Sequence, residues 1–377
     1  MSLSRTLIAL ALLGTGLAAR AEDPAPAAAV TVDVAAPAAI QAAAAITLPE
    51  VDPDTYFTGK AGGTFGKDAT KILPMNKRVG VAGFRVVFVT DNSIKAQVRA
   101  SYFGGVDRSG ASAKMDVGLS GVDGKTLQAI TDQAYATFLA QLAAAGREVV
   151  PAEEFQKFFA ELQPTATSPE QPYRKEVTLG YGKQTGVAYS PTGIPLWFSN
   201  WDGLWSDKTF DQHNIKRFNE AAQRSGAMVV APVIVVDFAQ MSSSGNRSGF
   251  LAREASVGAT LSMSVSAFSS SLTNALEVRG GYVSKGEDAR VNLTQGIGSE
   301  IGFATMQEVK KEDNSATKGM FDALGGLMGM ANAGGAARSK STNQAVTNNE
   351  AYAEAARDAL SRATGTFAAW FRKHPAS

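Results

Sequence analysis

Hydrophobic positions fall into periodic runs along much of this chain. Val79–Thr90 is rich in Val and Phe and bounded by turn residues, which predicts a strand, or two joined at Gly80–Gly83. Ile94–Tyr102 alternates apolar and polar positions and predicts a second strand; Lys114–Leu119 predicts a third. Leu127, Ile130, Ala134, Phe138 and Leu142 recur at helical spacing and make one apolar face, with Asp123 as N-cap and Gly146 where a left-handed C-terminal residue belongs. Glu148–Val150 is a short strand. Pro151 then opens a helix at a position where its missing N–H leaves no bond unmade, and Phe155, Phe158, Phe159 and Leu162 form its buried stripe. Asp211–Arg224 reads as a helix closed by Gly226. Ala227–Met241 is the most strand-like run, its continuous apolarity that of a central strand covered on both faces.

A second kind of pattern follows. Ala255, Val257, Ala259, Leu261, Met263, Val265 and Ala267 alternate with Ser256, Gly258, Thr260, Ser262, Ser264 and Ser266, which predicts a long strand with one buried face. Phe268–Asn274 reads as a turn, Ala275–Ser284 as the returning strand, and Val291–Met306 as a further strand. Gln163–Ser206 is irregular, and 315–349 is a low-complexity run of Gly, Ala, Met, Ser and Asn. Glu350–Lys373 closes the chain with a helix that carries Tyr352, Ala356, Leu360, Ala363, Phe367 and Trp370 on one side. The fold class is α/β (α+β): a mixed sheet flanked by helices, with long hairpin strands, an Ala/Pro-rich N-terminal linker and a Gly-rich loop before the C-terminal helix.

The N-terminus has the form of a signal peptide. A lone Arg5 precedes the uncharged apolar run Thr6–Ala18, which is too short to span a bilayer, and Ala19-Arg20-Ala21 fits a small-x-small cleavage site. Residues 1–21 are therefore expected to be removed on export. Residues 22–77 are read as an Ala/Pro-rich linker and poorly structured lead-in, since this stretch has few large apolar side chains with which to bury a core. An α/β domain occupies 78–314, with a Trp-rich insertion at 163–210; a flexible segment covers 315–349, and the last helix falls in 350–377. The expected location is periplasmic or outer-membrane-associated.

Composition narrows the chemistry. The 377 residues include no Cys and two His, which excludes disulfides, thiolate nucleophiles, Cys-based metal centres and His-rich metal sites. Lys plus Arg number 36 against 35 acidic residues, so no basic excess draws nucleic acid. Gly124-Lys125-Thr126 resembles the end of a phosphate loop, but the glycine required five positions earlier is Leu119. Gly180–Gly186 and Gly296–Gly302 each run one residue longer than a dinucleotide fingerprint and lack a βαβ setting. Gly118-Leu119-Ser120-Gly121 lacks the closing glycine of a nucleophile elbow, and the bases on offer are His213 and His374. No metal, cofactor or catalytic residue is assigned.

The candidate site is aromatic. Trp197, Trp201 and Trp205 fall close together, with Tyr189, Asn200 and Asp202 alongside, and indole faces beside polar groups stack on sugar rings or anchor a protein partner. A loop pinned to its own core is the structural alternative. The alternating strand has two readings as well: a soluble sheet, or one hairpin of an oligomeric membrane barrel. Met320–Ala337 is either a loop or an interfacial membrane segment.

The order of these elements carries a resemblance. A strand and capped helix ending in LAAAGREVVPAEEF, a strong strand AMVVAPVIVVDF, then LSMSVSAF and ALEVRGGYVS, resemble the bacterial envelope family that contains the curli-secretion channel CsgG and the N-terminal domain of TolB. The similarity covers 78–162 and 227–284. CsgG is a lipoprotein whereas this chain has no Cys, and the Trp-rich insertion is foreign to the pattern, so no functional residue carries over. The resemblance implies a non-catalytic role in envelope assembly or secretion through a protein partner or self-association, with outer-membrane contact. Two other readings stand beside it: a glycan- or peptidoglycan-binding module using Trp197, Trp201 and Trp205, and a hydrolase with an unrecognised site.

Overall fold

The computed structural model describes residues 48–58, 76–99, 101–103, 106–108, 110–165, 167–179, 182–198, 205, 213–246, 254–267, 271–275, 289–313 and 337–375. The elements in chain order are β1 (Phe57–Thr58), β2 (Arg78–Val81), β3 (Arg85–Val98), β4 (Ser101–Phe103), β5 (Val106–Arg108), β6 (Ala111–Ser120), α1 (Gly124–Ala144), β7 (Glu148–Val149), α2 (Gln156–Glu161), β8 (Tyr173–Leu179), β9 (Gly182–Tyr189) and α3 (His213–Ser225). They continue with β10 (Met228–Asn246), β11 (Glu254–Val265), β12 (Ser271–Ala275), β13 (Ala289–Leu293), β14 (Ile297–Gly298), β15 (Thr305–Asp313), β16 (Ala337–Val346) and α4 (Asn349–Lys373). Apart from the β4–β5 hairpin, the strands form one mixed sheet whose main path runs β1-β13-β12-β10-β3-β6-β16-β15.

The first half of β10 is the axis of the body. Its apolar residues are buried on both faces because helices cover each side. Met228 and Val230 share a core with Ile130 and Phe138 of α1 and Leu360 and Phe367 of α4, while Val229 and Ala231 pack with Phe155, Phe158 and with Phe218 of α3. Leu, Phe and Val side chains buried to this degree each contribute about 1.5–3 kcal/mol. The two long helices start side by side. Asp123 accepts from Thr126 N–H at 2.8 Å, Asn348 accepts from Ala351 N–H at 2.9 Å, and Asn349 Nδ2 donates to Asp123 at 2.9 Å. Gly146 ends α1 at φ 81°, as its position after the periodic run demands.

Several expectations change. β3 continues through Thr90 as one strand from Arg85 to Val98. The stretch 163–210 holds a hairpin, β8–β9, laid antiparallel against β3. Two strands, β15 and β16, flank and enter the low-complexity region; β16 pairs in parallel with β6 along its whole length. The alternating strand β11 pairs antiparallel with β10. Ser271–Ala275, expected as turn, is β12 and pairs with the first half of β10; the proposed strand 276–284 lies outside the described residues. Pairing between strands far apart in the chain, as of β16 with β6 and of β12 with β10, is recorded in no local run of residues.

The lead-in is also more than a linker. Leu48 is buried, and Phe57 sits 5.0 Å from the ring of Phe367 and 5.7 Å from Trp370. β1 pairs with β13, and Lys373 bridges Asp52 at 2.6 Å and Asp54 at 2.5 Å. Residues 48–58 thus form a strap across the end of α4. Replacing Phe57 with Ala removes a buried ring and is expected to lower stability by about 3–5 kcal/mol, read as a lower midpoint in urea unfolding.

Candidate functional site

The sheet divides at Asp237. Up to Val236, β10 lies parallel to β3, from Val233↔Arg85 to Val236↔Phe88. Beyond that point β6 pairs with β3, from Asp91↔Gly118 to Val98↔Ala111. The register slips at the fork, between Asp237 and Ala239 in β10 and between Val89 and Asp91 where β3 meets β9.

Three polar side chains from three strands meet there. Asn92 Nδ2 donates to Asp237 Oδ1 at 2.9 Å. Gln184 Nε2 donates to Asp237 Oδ2 at 2.6 Å and to Asn92 Oδ1 at 3.0 Å, and Ala239 N–H reaches Asp237 Oδ1 at 3.2 Å. All three side chains are buried. Burial pushes the Asp237 carboxyl above the usual carboxylate range; the donors from Asn92, Ala239, Gln184 and Phe238 pull it back without cancelling burial. Tyr352 of α4 feels the same site: burial and then the Asp237 charge raise its phenol, and its hydroxyl has no hydrogen-bond partner among the described residues.

Past the fork the branches stack as two layers. β3 and β6 form one, with Ile94, Ala96, Val98, Ala111, Ala113 and Val117 buried between the layers. The second half of β10 and β11 form the other, and β11 crosses close to β6 and β3. Small residues permit this approach: a Cβ on Gly245 would come within 3.0 Å of Val98. The alternation of β11 now has its cause. Ala255, Val257, Ala259 and Leu261 lie on the β6 side, half-buried, and Met263 is fully buried, while Ser256 and Thr260 are exposed; Ser256 shares a 2.6 Å hydroxyl contact with Ser244.

Next to β11 the layers are unequal. β16 and β15 extend the lower layer beyond β6, whereas no described strand extends the upper layer beyond β11 between Ala255 and Leu261. A groove of about 340 Å³ occupies that place, lined by Ala255 and Val257 of β11, Ala113 and Met115 of β6, and Ser339, Ser341 and Asn343 of β16, with Glu308 and Lys340 also present.

The aromatic cluster is placed differently from its sequence reading. Tyr189, Trp197 and Trp205 are 4%, 3% and 2% exposed, so none offers a ring face to a sugar or partner. Trp197 donates from Nε1 to Ala82 C=O at 3.1 Å and packs against Phe158 and Phe218. Glycines make its seat: a Cβ on Gly83 would lie 2.9 Å from Trp197, and one on Gly186 2.8 Å from Trp205. Arg85, itself buried, stacks 4.8 Å over the Trp197 ring and donates to its carbonyl at 2.7 Å. Tyr189 donates to Pro169 C=O at 3.2 Å, and burial followed by Glu170 and Asp123 pushes its phenol up to about 12. Trp201, Asn200 and Asp202 lie outside the described residues. The apolar body of an indole outweighs its single polar atom, and here the sheet supplied a pocket for that body.

The other motifs resolve into structure. Gly124-Lys125-Thr126 is the first turn of α1. Ser120 donates to Ala345 C=O at 3.4 Å, and the His213 ring contacts Glu161 C=O at 3.0 Å, so neither engages the other. Among the described residues no metal-type cluster occurs, and no helix is long and apolar enough to cross a membrane. The residues that sequence reasoning missed are Asn92, Gln184, Asp237 and Arg85. Asn92 and Gln184 sit among other polar residues of their strands, whereas Arg85 and Asp237 each interrupt an apolar run, and Asp237 was the one visible signal. No family model, curated protein or solved structure matches the chain.

The fork titrates in a known direction. The folded state holds Asp237 above its unfolded value, so its contribution is present in full at low pH and is lost as pH rises through the folded value. Stability measured from pH 4 to 8 is expected to show this loss, and Asp237→Asn to flatten it. Asp237→Leu strands two amides and is expected to cost about 1–3 kcal/mol for each. Trp197→Ala is expected to reduce stability by about 3–5 kcal/mol, read by thermal unfolding, with no selective effect on glycan binding.

Proposed function

We propose that this chain is a non-catalytic exported envelope protein, an assembly or secretion factor that works through protein contacts in the periplasm or at the outer membrane. The observation that carries this reading is the two-layer arm beyond the fork: long strands, small side chains, and a grooved edge presented on a rigid helix-covered body. Such an edge offers backbone donors and acceptors, which recognise another polypeptide and not a small reactant. The leader-like N-terminus supports export, and the resemblance to the CsgG and TolB N-terminal family points the same way. The glycan reading loses ground because the described indoles are enclosed by their own core. A lipid-facing barrel is not needed to explain the alternation of β11, since its apolar side faces β6.

Fractionation of expressing cells tests the proposal. The protein is expected in the periplasmic or membrane fraction, with its mass corresponding to a start at Glu22, and in-cell cross-linking is expected to trap it with a protein partner or with itself. Recovery from the cytosol with Met1–Ala21 attached would overturn it.

A further inference from the structure

The lower layer of the arm has two faces of different chemistry. Ile94, Ala96 and Val98 of β3 and Ala111, Ala113 and Val117 of β6 are buried between the layers. The residues that alternate with them point to the other side. There Lys95 lies opposite Lys114, and Lys114 lies opposite Lys340 of β16, so three lysines stand in one row across three neighbouring strands. Their Cα atoms are roughly 5 Å apart from strand to strand. Arg338 shares the face two residues from Lys340, and Lys310 of β15 is paired with Thr342 one row away. Lys95, Arg338, Lys340 and Lys310 are exposed and Lys114 is half-exposed. Asp116 pairs with Lys114 at 2.9 Å, and Glu312 holds the register position beside Lys340, yet Lys95, Arg338 and Lys340 make no ion pair among the described residues. Like charges directly opposite one another weaken a sheet. With 36 basic and 35 acidic residues in the chain, the row is a local concentration and not a result of overall charge. Met306 at 37% and Val309 at 63% are the exposed large hydrophobic residues among those described, and both lie on β15, the strand that ends this layer.

We propose that this face docks on an anionic bilayer surface, with Lys95, Lys114, Lys340 and Arg338 meeting lipid phosphates and Val309 of the edge strand entering the headgroup region. Two features select lipid over an acidic polypeptide. The cations spread in two directions, across the strands and along β16, as headgroups spread in a plane, whereas an extended run of carboxylates follows one line. The exposed apolar side chains stand at the rim of the same layer, where an ionic partner alone leaves them in water and a bilayer does not. Lysine supplies a point charge on a flexible stem, which suits phosphates of no fixed spacing. The inference goes beyond the protein-contact reading of the arm and uses the face opposite its groove.

The test uses the purified full chain and sedimentation with vesicles of phosphatidylcholine, alone or mixed with phosphatidylglycerol. Saturable binding that weakens as salt is raised is expected on the mixed vesicles, well above that on the neutral ones. Lys95→Gln, Arg338→Gln and Lys340→Gln in combination are expected to weaken it at least about tenfold. Lys125→Gln, Lys157→Gln and Lys216→Gln, an equal loss of charge at exposed positions of α1, α2 and α3, leave it unchanged. Val309→Ser is expected to weaken binding about threefold with the same salt dependence. Far-UV circular dichroism checks that each variant folds. Amine acetylation of the unaltered protein, read by mass spectrometry, needs no variant: mixed vesicles are expected to shield Lys95 and Lys340 and to leave Lys157 and Lys216 labelled as in the free protein. Equal binding to both vesicles, indifference to the triple substitution on the sheet, or unchanged labelling of Lys95 and Lys340 would overturn the proposal. So would capture of a fluorescein-labelled oligoglutamate without vesicle binding, because the partner would then be an acidic polypeptide. All of these are read on purified protein, so failure here is distinct from a cytosolic result in fractionation.

Discussion

A buried carboxylate held by neutral donors is the constraint around which the rest of the structure is arranged. A sheet that forks must leave some backbone groups without a ladder partner, and buried polar groups need partners. Here two strands bulge at the fork, and Asp237 turns a side chain inward to meet Asn92 and Gln184. The cluster ties β3, β9 and β10 together at the point where their pairing changes. It also carries a cost, since burial disfavours the charge. A leucine would suit the body of the sheet but would not satisfy the amides of Asn92 and Gln184.

The fork separates two kinds of construction. Below it, large aromatic and branched side chains fill three layers, and helices cover both faces of β10. Above it, Ala, Gly and Ser let two thin strand layers approach with no helix between them. The body is therefore enclosed, whereas the arm carries a groove between β11, β6 and β16.

The tryptophans show why a functional reading of aromatic residues needs the fold. Spacing and polar neighbours were consistent with an exposed stacking site. The structure instead seats Trp197 over Gly83 and beneath Arg85, and Trp205 over Gly186. Glycines and an arginine far away in the chain created those seats, and no local pattern reports them. The same holds for Asn92, Gln184 and Asp237, which are unremarkable in their own strands and form a cluster only after the strands are assembled. The helices were legible because their signals are local: Asp123 and Gly146 bound α1 much as their chemistry demands.

What the amino-acid order determined by itself was periodicity: the faces of α1 and α4, the double-sided burial of β10, and the two-residue alternation of β11. These are short-range consequences of side-chain size and polarity repeating at the pitch of a helix or a pleat. Only the tertiary structure decided which strands pair, that Phe57 belongs to the core, and that the indoles of Trp197 and Trp205 are inside. Those outcomes depend on contacts between residues tens to hundreds of positions apart, whose free energies exist only when all the partners are in place at once.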